Sequence, residues 1–361
     1  MNHTASLHAQ GQSLWLDNIT REILDDGSLK RYIDTLSVTG LTSNPSIFDA
    51  AIGNTRAYDA AIRAKAQAGL SGESLFNELA LEDLRRAADL FRPVYDASAG
   101  VDGWVSMEVS PLLADDTQGT IAAARAIHDQ AMRVNLFVKI PGTPAGIPAI
   151  EEAIFAGVPV NVTLLFSREH YRAAAEAYMR GLERRHAAGL SLDIASVASL
   201  FVSRWDTAVA GKVPARLQNK LGIAIGARTY RAYRELLASE RWQKLAAAGA
   251  RPQRLLWAST GTKDPEASPI LYIEMLAVAD TVNTMPEKTL LALAAYEGEL
   301  AHELASASAA AETVLSAYAT AGVDVLALAE RLQLEGAQAF VKSWQQLLQR
   351  IEQKSEALTA I

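Results

Sequence analysis

Short apolar runs recur along the chain, and a longer amphipathic stretch separates each from the next. The runs are SLWLD at 13–17, VTGLTSNP at 38–45, GWVSMEVS at 103–110, NLFVKIP at 135–141, VPVNVTLLF at 158–166, IASVASLFVSR at 194–204 and RLLWAST at 254–260. A weaker eighth, VADTVNTMP, lies at 278–286. β-Branched and aromatic residues fill most of them, and turn or polar residues end them, as in strands. Between them, TIAAARAIHDQAMR at 120–133 and the Arg-, Glu-, Ala- and Tyr-rich stretch at 168–189 read as helices. Such alternation specifies a parallel sheet with crossover helices. About eight repeats point to an α/β fold of the closed (β/α)8 TIM-barrel type, with a doubly wound open sheet as the alternative.

The chain has 361 residues, more than the roughly 250 of a minimal barrel. Three stretches account for the excess as helical additions: insertions at about 46–102 and 205–253, and a C-terminal segment at about 287–361. No Gly/Ser-rich linker interrupts the pattern, so residues 1–361 read as one barrel domain. The absence of cysteine rules out disulfides, thiolate catalysis and cysteine-held metals. The histidines, at 3, 8, 128, 170, 186 and 302, lack ligand spacing, so no metal is expected. A formal net charge of −7 argues against nucleic-acid or anionic-membrane partners, though a local basic pocket for a phosphorylated small molecule is compatible with it. The polar N-terminus and the lack of a long apolar run point to a cytoplasmic protein.

Side chains alternate along a strand. In NLFVKIP, Asn135, Phe137 and Lys139 share a face opposite Leu136, Val138 and Ile140. Asp17 falls with Trp15 and Ser13, Glu108 with Ser106 and Trp104, and Ser259 with Trp257. Asn161 and Thr163 fall with Leu165, opposite the apolar Val160, Val162, Leu164 and Phe166. In a barrel the apolar faces pack under the helices and the polar faces point inward. Asp17, Asn44, Glu108, Lys139, Asn161, Thr163, Ser199 and Ser259 are then expected to converge at the C-terminal strand ends, where barrel active sites form. Each has a plainer reading: Asp17 as the cap of a helix starting near Ile19, TSNPS at 42–46 as an ordinary turn, Lys139 as a solvated side chain. Together they are harder to dismiss, because burying several charges without use costs roughly several kcal/mol.

A lysine among apolar walls is expected to have its pKa lowered by desolvation. Its neutral amine can attack a ketone to give a Schiff base, an electron sink that lets the adjacent C–C bond break. The proton transfers suit Asp17 and Glu108, one of them through a water held by Thr163. This chemistry needs no metal or cofactor.

The motifs LWLDNITREIL, GLTSNPSIF, VSMEVSP, FVKIPGT, NVTLLFS, SVASLFVSRWD and LLWASTGTKDP occur in that order on successive predicted strands. In them the chain resembles the transaldolases, in their long bacterial form, over most of its length. The resemblance implies a (β/α)8 barrel with a chain order circularly permuted relative to other class I aldolases. It implies transfer of a dihydroxyacetone unit from sedoheptulose 7-phosphate or fructose 6-phosphate to glyceraldehyde 3-phosphate or erythrose 4-phosphate, in the pentose phosphate pathway. It puts the Schiff-base lysine at Lys139, the acid/base aspartate at Asp17, the water-assisted glutamate at Glu108 and the water-holding threonine at Thr163. Contacts to the dihydroxyacetone unit fall on Asn44, Asn161 and Ser199, and phosphate contacts on Arg204 and Ser259. Shorter transaldolases carry a second phosphate-binding arginine where this chain has Gly261; Lys263 is the candidate replacement. The rival readings are a fructose-6-phosphate aldolase, in which Glu108 would be glutamine and Phe201 tyrosine, and a non-catalytic sugar-phosphate-binding barrel.

Overall fold

The computed structural model describes residues 2–300 and 304–359; residues 301–303, 360 and 361 of the expected C-terminal helical segment lie outside the described residues. The first half of the chain runs α1 (His3–Ala9), β1 (Gln12–Asp17), α2 (Arg21–Asp25), α3 (Ser28–Leu36), β2 (Val38–Thr42), α4 (Pro45–Asn54), α5 (Asp59–Gln67), α6 (Gly72–Ala97), β3 (Trp104–Glu108), α7 (Thr117–Ala131), β4 (Leu136–Pro141) and α8 (Gly146–Ala156). It continues through β5 (Val160–Leu165), α9 (Arg168–Ala187), β6 (Ser196–Phe201), α10 (Ser203–Val209), α11 (Leu221–Ala238), α12 (Glu240–Ala247), β7 (Arg254–Ala258) and α13 (Leu271–Met275). The last elements are β8 (Thr281–Met285), α14 (Glu287–Ala294), α15 (Leu304–Thr320) and α16 (Val325–Thr359). All eight expected runs form strands, and they pair in parallel in chain order. Pairing of β8 with β1 closes the barrel and rules out the open sheet. No single helix among the described residues is long and apolar enough to cross a membrane.

The two strand faces separate as the alternation requires. Leu14, Leu16, Val105, Val138, Ile140, Val160 and Val162 are fully buried between sheet and helices, and burying each side chain of this size stabilises the fold by about 1.5–3 kcal/mol. Inside, the floor is aromatic: Trp104 stacks on Phe137 with centroids 4.0 Å apart, and Trp15 lies 6.1 Å from Phe137. Gly40 makes room for this layer, since a Cβ there would lie 2.7 Å from the Trp15 indole and 2.8 Å from the Trp104 carbonyl oxygen. Above the aromatics, Asn161 donates to Ser106 Oγ at 3.2 Å and accepts from Ser199 Oγ at 2.7 Å. This polar layer supports the mouth.

Strict alternation fails at two strand ends. Leu164 has φ 58°, and the β5–β6 register shifts between Val162 and Leu165. Leu165 pairs with Leu200, on the outer side of the wall and not beside Thr163 as alternation places it. Leu164 and Phe166, expected outside, instead lie against α16 at Gly336, and Phe166 stacks on Phe201. Ser259 has φ 55°. Trp257 therefore does not share its face: the indole packs outward toward Gly226 of α11, while Ala258 and Ser259 both line the mouth.

The expected insertion at 46–102 forms α4, α5 and α6. A buried ion pair, Arg21 Nε to Asp83 Oδ1 at 2.9 Å, ties α6 to the segment after β1. These helices in turn seat α16. Trp344 meets Phe76 edge-on at 5.0 Å, and Lys354 Nζ donates to the carbonyls of Ile52 and Thr55. The 35-residue α16 thereby lies across the C-terminal end of the barrel.

Candidate active site

A cavity of about 160 Å³ opens at the C-terminal strand ends, with Asp17, Asn44, Lys139, Thr163 and Arg204 among its lining residues. Ser199, Phe201 and Ser259 line it as well. A larger cavity, of about 750 Å³, opens at the opposite end of the barrel. Its arginines are already neutralised: Arg254 pairs with Asp102 at 3.3 Å, Arg234 with Asp280 at 2.9 Å, and Arg251 with Asp193. No lysine is among its lining residues, whereas the buried Lys139 lines the smaller cavity.

Sheet register brings the charged groups together. Glu108 and Lys139 are partners across β3–β4, and Lys139 and Asn161 across β4–β5. Lys139 is 6% exposed; its Nζ donates to Ser43 O at 3.0 Å and lies 3.8 Å from Glu108 Oε2. Burial pushes the Glu108 carboxyl up to about 7, against the opposing pull of Lys139 and with a smaller push from Asp17. Glu108 Oε2 and Thr163 Oγ1 are both buried without a protein hydrogen-bond partner. Buried polar atoms of this kind are normally satisfied by water or ligand.

Asp17 accepts from Thr42 Oγ1 at 2.8 Å, and Thr42 meets Thr284 Oγ1 at 2.8 Å. It caps no helix: α2 starts later and Thr20 Oγ1 caps it, accepting from Ile23 N. Asn44 does cap α4, accepting from Ile47 N at 3.2 Å and Ser46 Oγ at 2.6 Å through Oδ1, and this orients its side chain at the rim. TSNPS is thus the end of β2 followed by the cap of α4 rather than an ordinary turn, and it sets Asn44 in the cavity lining.

Arg204 leans on the Phe201 ring, its guanidinium carbon 5.1 Å from the centroid, and Phe201 stacks on Phe166 at 5.3 Å. Burial pulls the Arg204 pKa below its ordinary value, and the side chain pairs with no carboxylate among the described residues. It is a desolvated cation available to an anion. Ser259 Oγ lies beside it in the lining and bonds Ser203 Oγ at 3.0 Å. Lys263 is not brought in: it is exposed and absent from the lining, and its Nζ lies 3.8 Å from where a Cβ on Gly261 would be.

Residues the strand patterns do not single out also reach the cavity. Thr42, Ser46 and Thr284 sit within or just after the recognised runs. Ala339, Phe340 and Ser343 come from α16, and Phe340 places its ring centroid 5.7 Å from Lys139 Nζ. Their signal was the apolar stripe of α16, which does not itself name its partner.

The Transaldolase/Fructose-6-phosphate aldolase family model matches residues 14–351. The chain is 45% identical to a transaldolase of Thermobifida fusca, covering 97% of each protein. It is 41% identical to transaldolase 2 of Nostoc sp. strain PCC 7120 over the full length of both. It is 43% identical to a transaldolase of Thiobacillus denitrificans, over 97% of this chain and all of that one. With the closed barrel and the buried lysine among carboxylates at its mouth, these matches show that the chain belongs to the transaldolase/fructose-6-phosphate aldolase family.

Proposed function

We propose that the protein is a transaldolase that moves a dihydroxyacetone unit from sedoheptulose 7-phosphate or fructose 6-phosphate to glyceraldehyde 3-phosphate or erythrose 4-phosphate, as in the pentose phosphate pathway. The observation that carries this reading is the buried Lys139, which lines the cavity together with Asp17 and has Glu108 Oε2 3.8 Å from its Nζ. Lys139 attacks the donor's ketone carbon. Glu108 titrates near neutrality, so it can both take and return the protons of carbinolamine formation and dehydration, through a water that Thr163 also holds. Asp17 takes the hydroxyl proton as the C–C bond breaks and the first aldose leaves. The enamine then attacks the second aldehyde, and hydrolysis frees Lys139.

Asn44, Asn161 and Ser199 hold the dihydroxyacetone hydroxyls. Arg204 and Ser259 hold the phosphate at the rim, where a charge-assisted fork is strongest in a desolvated setting. Glu108 and Phe201 favour transfer over the aldolase branch of the family. We take the barrel and its helical additions to act as one domain, because α16 completes the mouth.

The test is an assay with sedoheptulose 7-phosphate and glyceraldehyde 3-phosphate, following erythrose 4-phosphate and fructose 6-phosphate. Formation of both, dependent on the acceptor, is expected. Acceptor-independent release of dihydroxyacetone from fructose 6-phosphate would make the protein an aldolase; no turnover of any donor would make it a non-catalytic barrel.

A further inference from the structure

We propose that Phe340, carried over the barrel mouth by α16, is a specificity-determining residue that limits protonation of the enamine by water and so sets the ratio of transfer to release. The inference rests on the Schiff-base reading of Lys139. The Phe340 ring centroid lies 5.7 Å from Lys139 Nζ, inside the same cavity lining. At that distance an aromatic face also favours a cation, and the iminium formed on this nitrogen is one.

The ring is held there by a continuous face of α16. Gln333, Gly336, Phe340 and Trp344 follow one another at spacings that put them on one side of a helix. Gln333 Nε2 donates to Gly142 O at 3.1 Å and Leu164 O at 2.9 Å. These carbonyls lie just beyond Lys139 and Thr163 on the two adjacent strands, and the left-handed Leu164 (φ 58°) presents one of them. Gly336 permits the close approach: a Cβ there would lie 3.0 Å from Leu164 Cδ2 and 3.2 Å from Arg204 Nη1. Farther along, Trp344 seats against Phe76 at 5.0 Å. Phe340 is therefore fixed from both sides.

The enamine has two fates. In transfer, its nucleophilic carbon forms a C–C bond to the acceptor's carbonyl carbon, whose oxygen takes a proton; water then hydrolyses the iminium and frees the new ketose. In release, the same carbon takes a proton from water, and hydrolysis frees dihydroxyacetone. The routes differ only in whether a proton or an aldehyde reaches that carbon first. A phenyl ring 5.7 Å from the nitrogen that bears the intermediate gives water no hydrogen-bonding anchor and leaves the acceptor's phosphate to be drawn in by Arg204.

The experiment incubates the full chain with fructose 6-phosphate and erythrose 4-phosphate and measures free dihydroxyacetone against sedoheptulose 7-phosphate. Phe340→Ala is expected to raise the release-to-transfer ratio by about tenfold, the low end of what removing apolar filling does to discrimination in a pocket. Phe340→Tyr, which keeps the ring and adds an anchor for water, is expected to raise it as well and decides the matter should the alanine variant not fold. Gln333→Ala, which frees the helix, shifts the ratio the same way. A purely structural role would lower both products together and leave the ratio alone. Borohydride reduction in parallel reports the Lys139 adduct. A wild-type ratio in Phe340→Ala or Phe340→Tyr with the adduct intact overturns this inference alone; absence of the adduct from wild type overturns the Schiff-base reading on which it rests.

Discussion

Glu108 Oε2 lies 3.8 Å from Lys139 Nζ, across the pair of strands that holds the two residues in register. The contact is long for a hydrogen bond, and Oε2 has no other protein partner. Burial holds the Glu108 carboxyl up at about 7, above the 4.5 of an unperturbed glutamate. The pH profile of kcat/KM is expected to bend near pH 7, and Glu108→Gln to remove the bend while lowering turnover by about 10²–10⁴-fold. Because the folded state binds this proton more tightly than the unfolded chain, the contribution of Glu108 is fully present below about pH 4.5 and is lost as pH rises through about 7. Comparing melting temperatures at pH 5 and pH 8 checks the sign: Glu108→Gln should gain on wild type at the higher pH.

Asp17 separates catalysis from stability. Its partner Thr42 donates to Oδ1, and an asparagine oxygen can accept the same bond. Asp17→Asn is expected to lower turnover by about 10²–10⁴-fold while leaving the melting temperature nearly unchanged. Steady-state kinetics and thermal denaturation on one preparation measure both. Near-normal turnover would return Asp17 to a structural role.

The phosphate subsite divides Arg204 from Lys263. Arg204 lines the cavity as a desolvated cation, and losing a charge-assisted bond costs about 1.5–3 kcal/mol. Arg204→Ala should therefore raise KM for fructose 6-phosphate at least about tenfold and barely affect unphosphorylated fructose. Lys263→Ala should leave both KM values unchanged, because its side chain is exposed and outside the lining. A comparable KM rise in Lys263→Ala would restore it as the substitute for the arginine missing at Gly261.

Gly40 tests the barrel floor. Gly40→Ala sets a methyl group against the Trp15 indole and the Trp104 carbonyl. Overpacking of this kind costs about 1–3 kcal/mol. Chemical denaturation should show a lower midpoint; an unchanged midpoint would mean that the aromatic layer can shift freely.

The strands and the inward position of Lys139, Glu108, Asp17 and Thr163 were legible because a half-polar strand repeats every two residues, and that period survives into the barrel. It broke where the backbone turned left-handed at residues other than glycine, at Leu164 and Ser259; no local signal marks a leucine or serine for that conformation. Plain alternation consequently puts Trp257 on the inner face, while its indole packs outward toward Gly226. Phe340 was illegible for a different reason. An amphipathic helix declares that it has a buried face, not what it covers, and the partner of α16 is set by the distant α4–α6 insertion and by Gln333 reaching two strand ends. Lys263, expected to stand in for an arginine at Gly261, does carry its amine back toward Gly261, but it is exposed and outside the cavity lining, and sequence spacing alone does not say which way a loop side chain turns.

The proposed chemistry stands or falls with covalent capture of the substrate by Lys139. The most direct measurement is to incubate the protein with fructose 6-phosphate, reduce with borohydride, digest, and locate the added mass by tandem mass spectrometry. One reduced dihydroxyacetone adduct is expected, on Lys139, and it is lost in Lys139→Arg, which keeps the charge but cannot form the imine. An adduct on another lysine, or none alongside normal turnover, would contradict it.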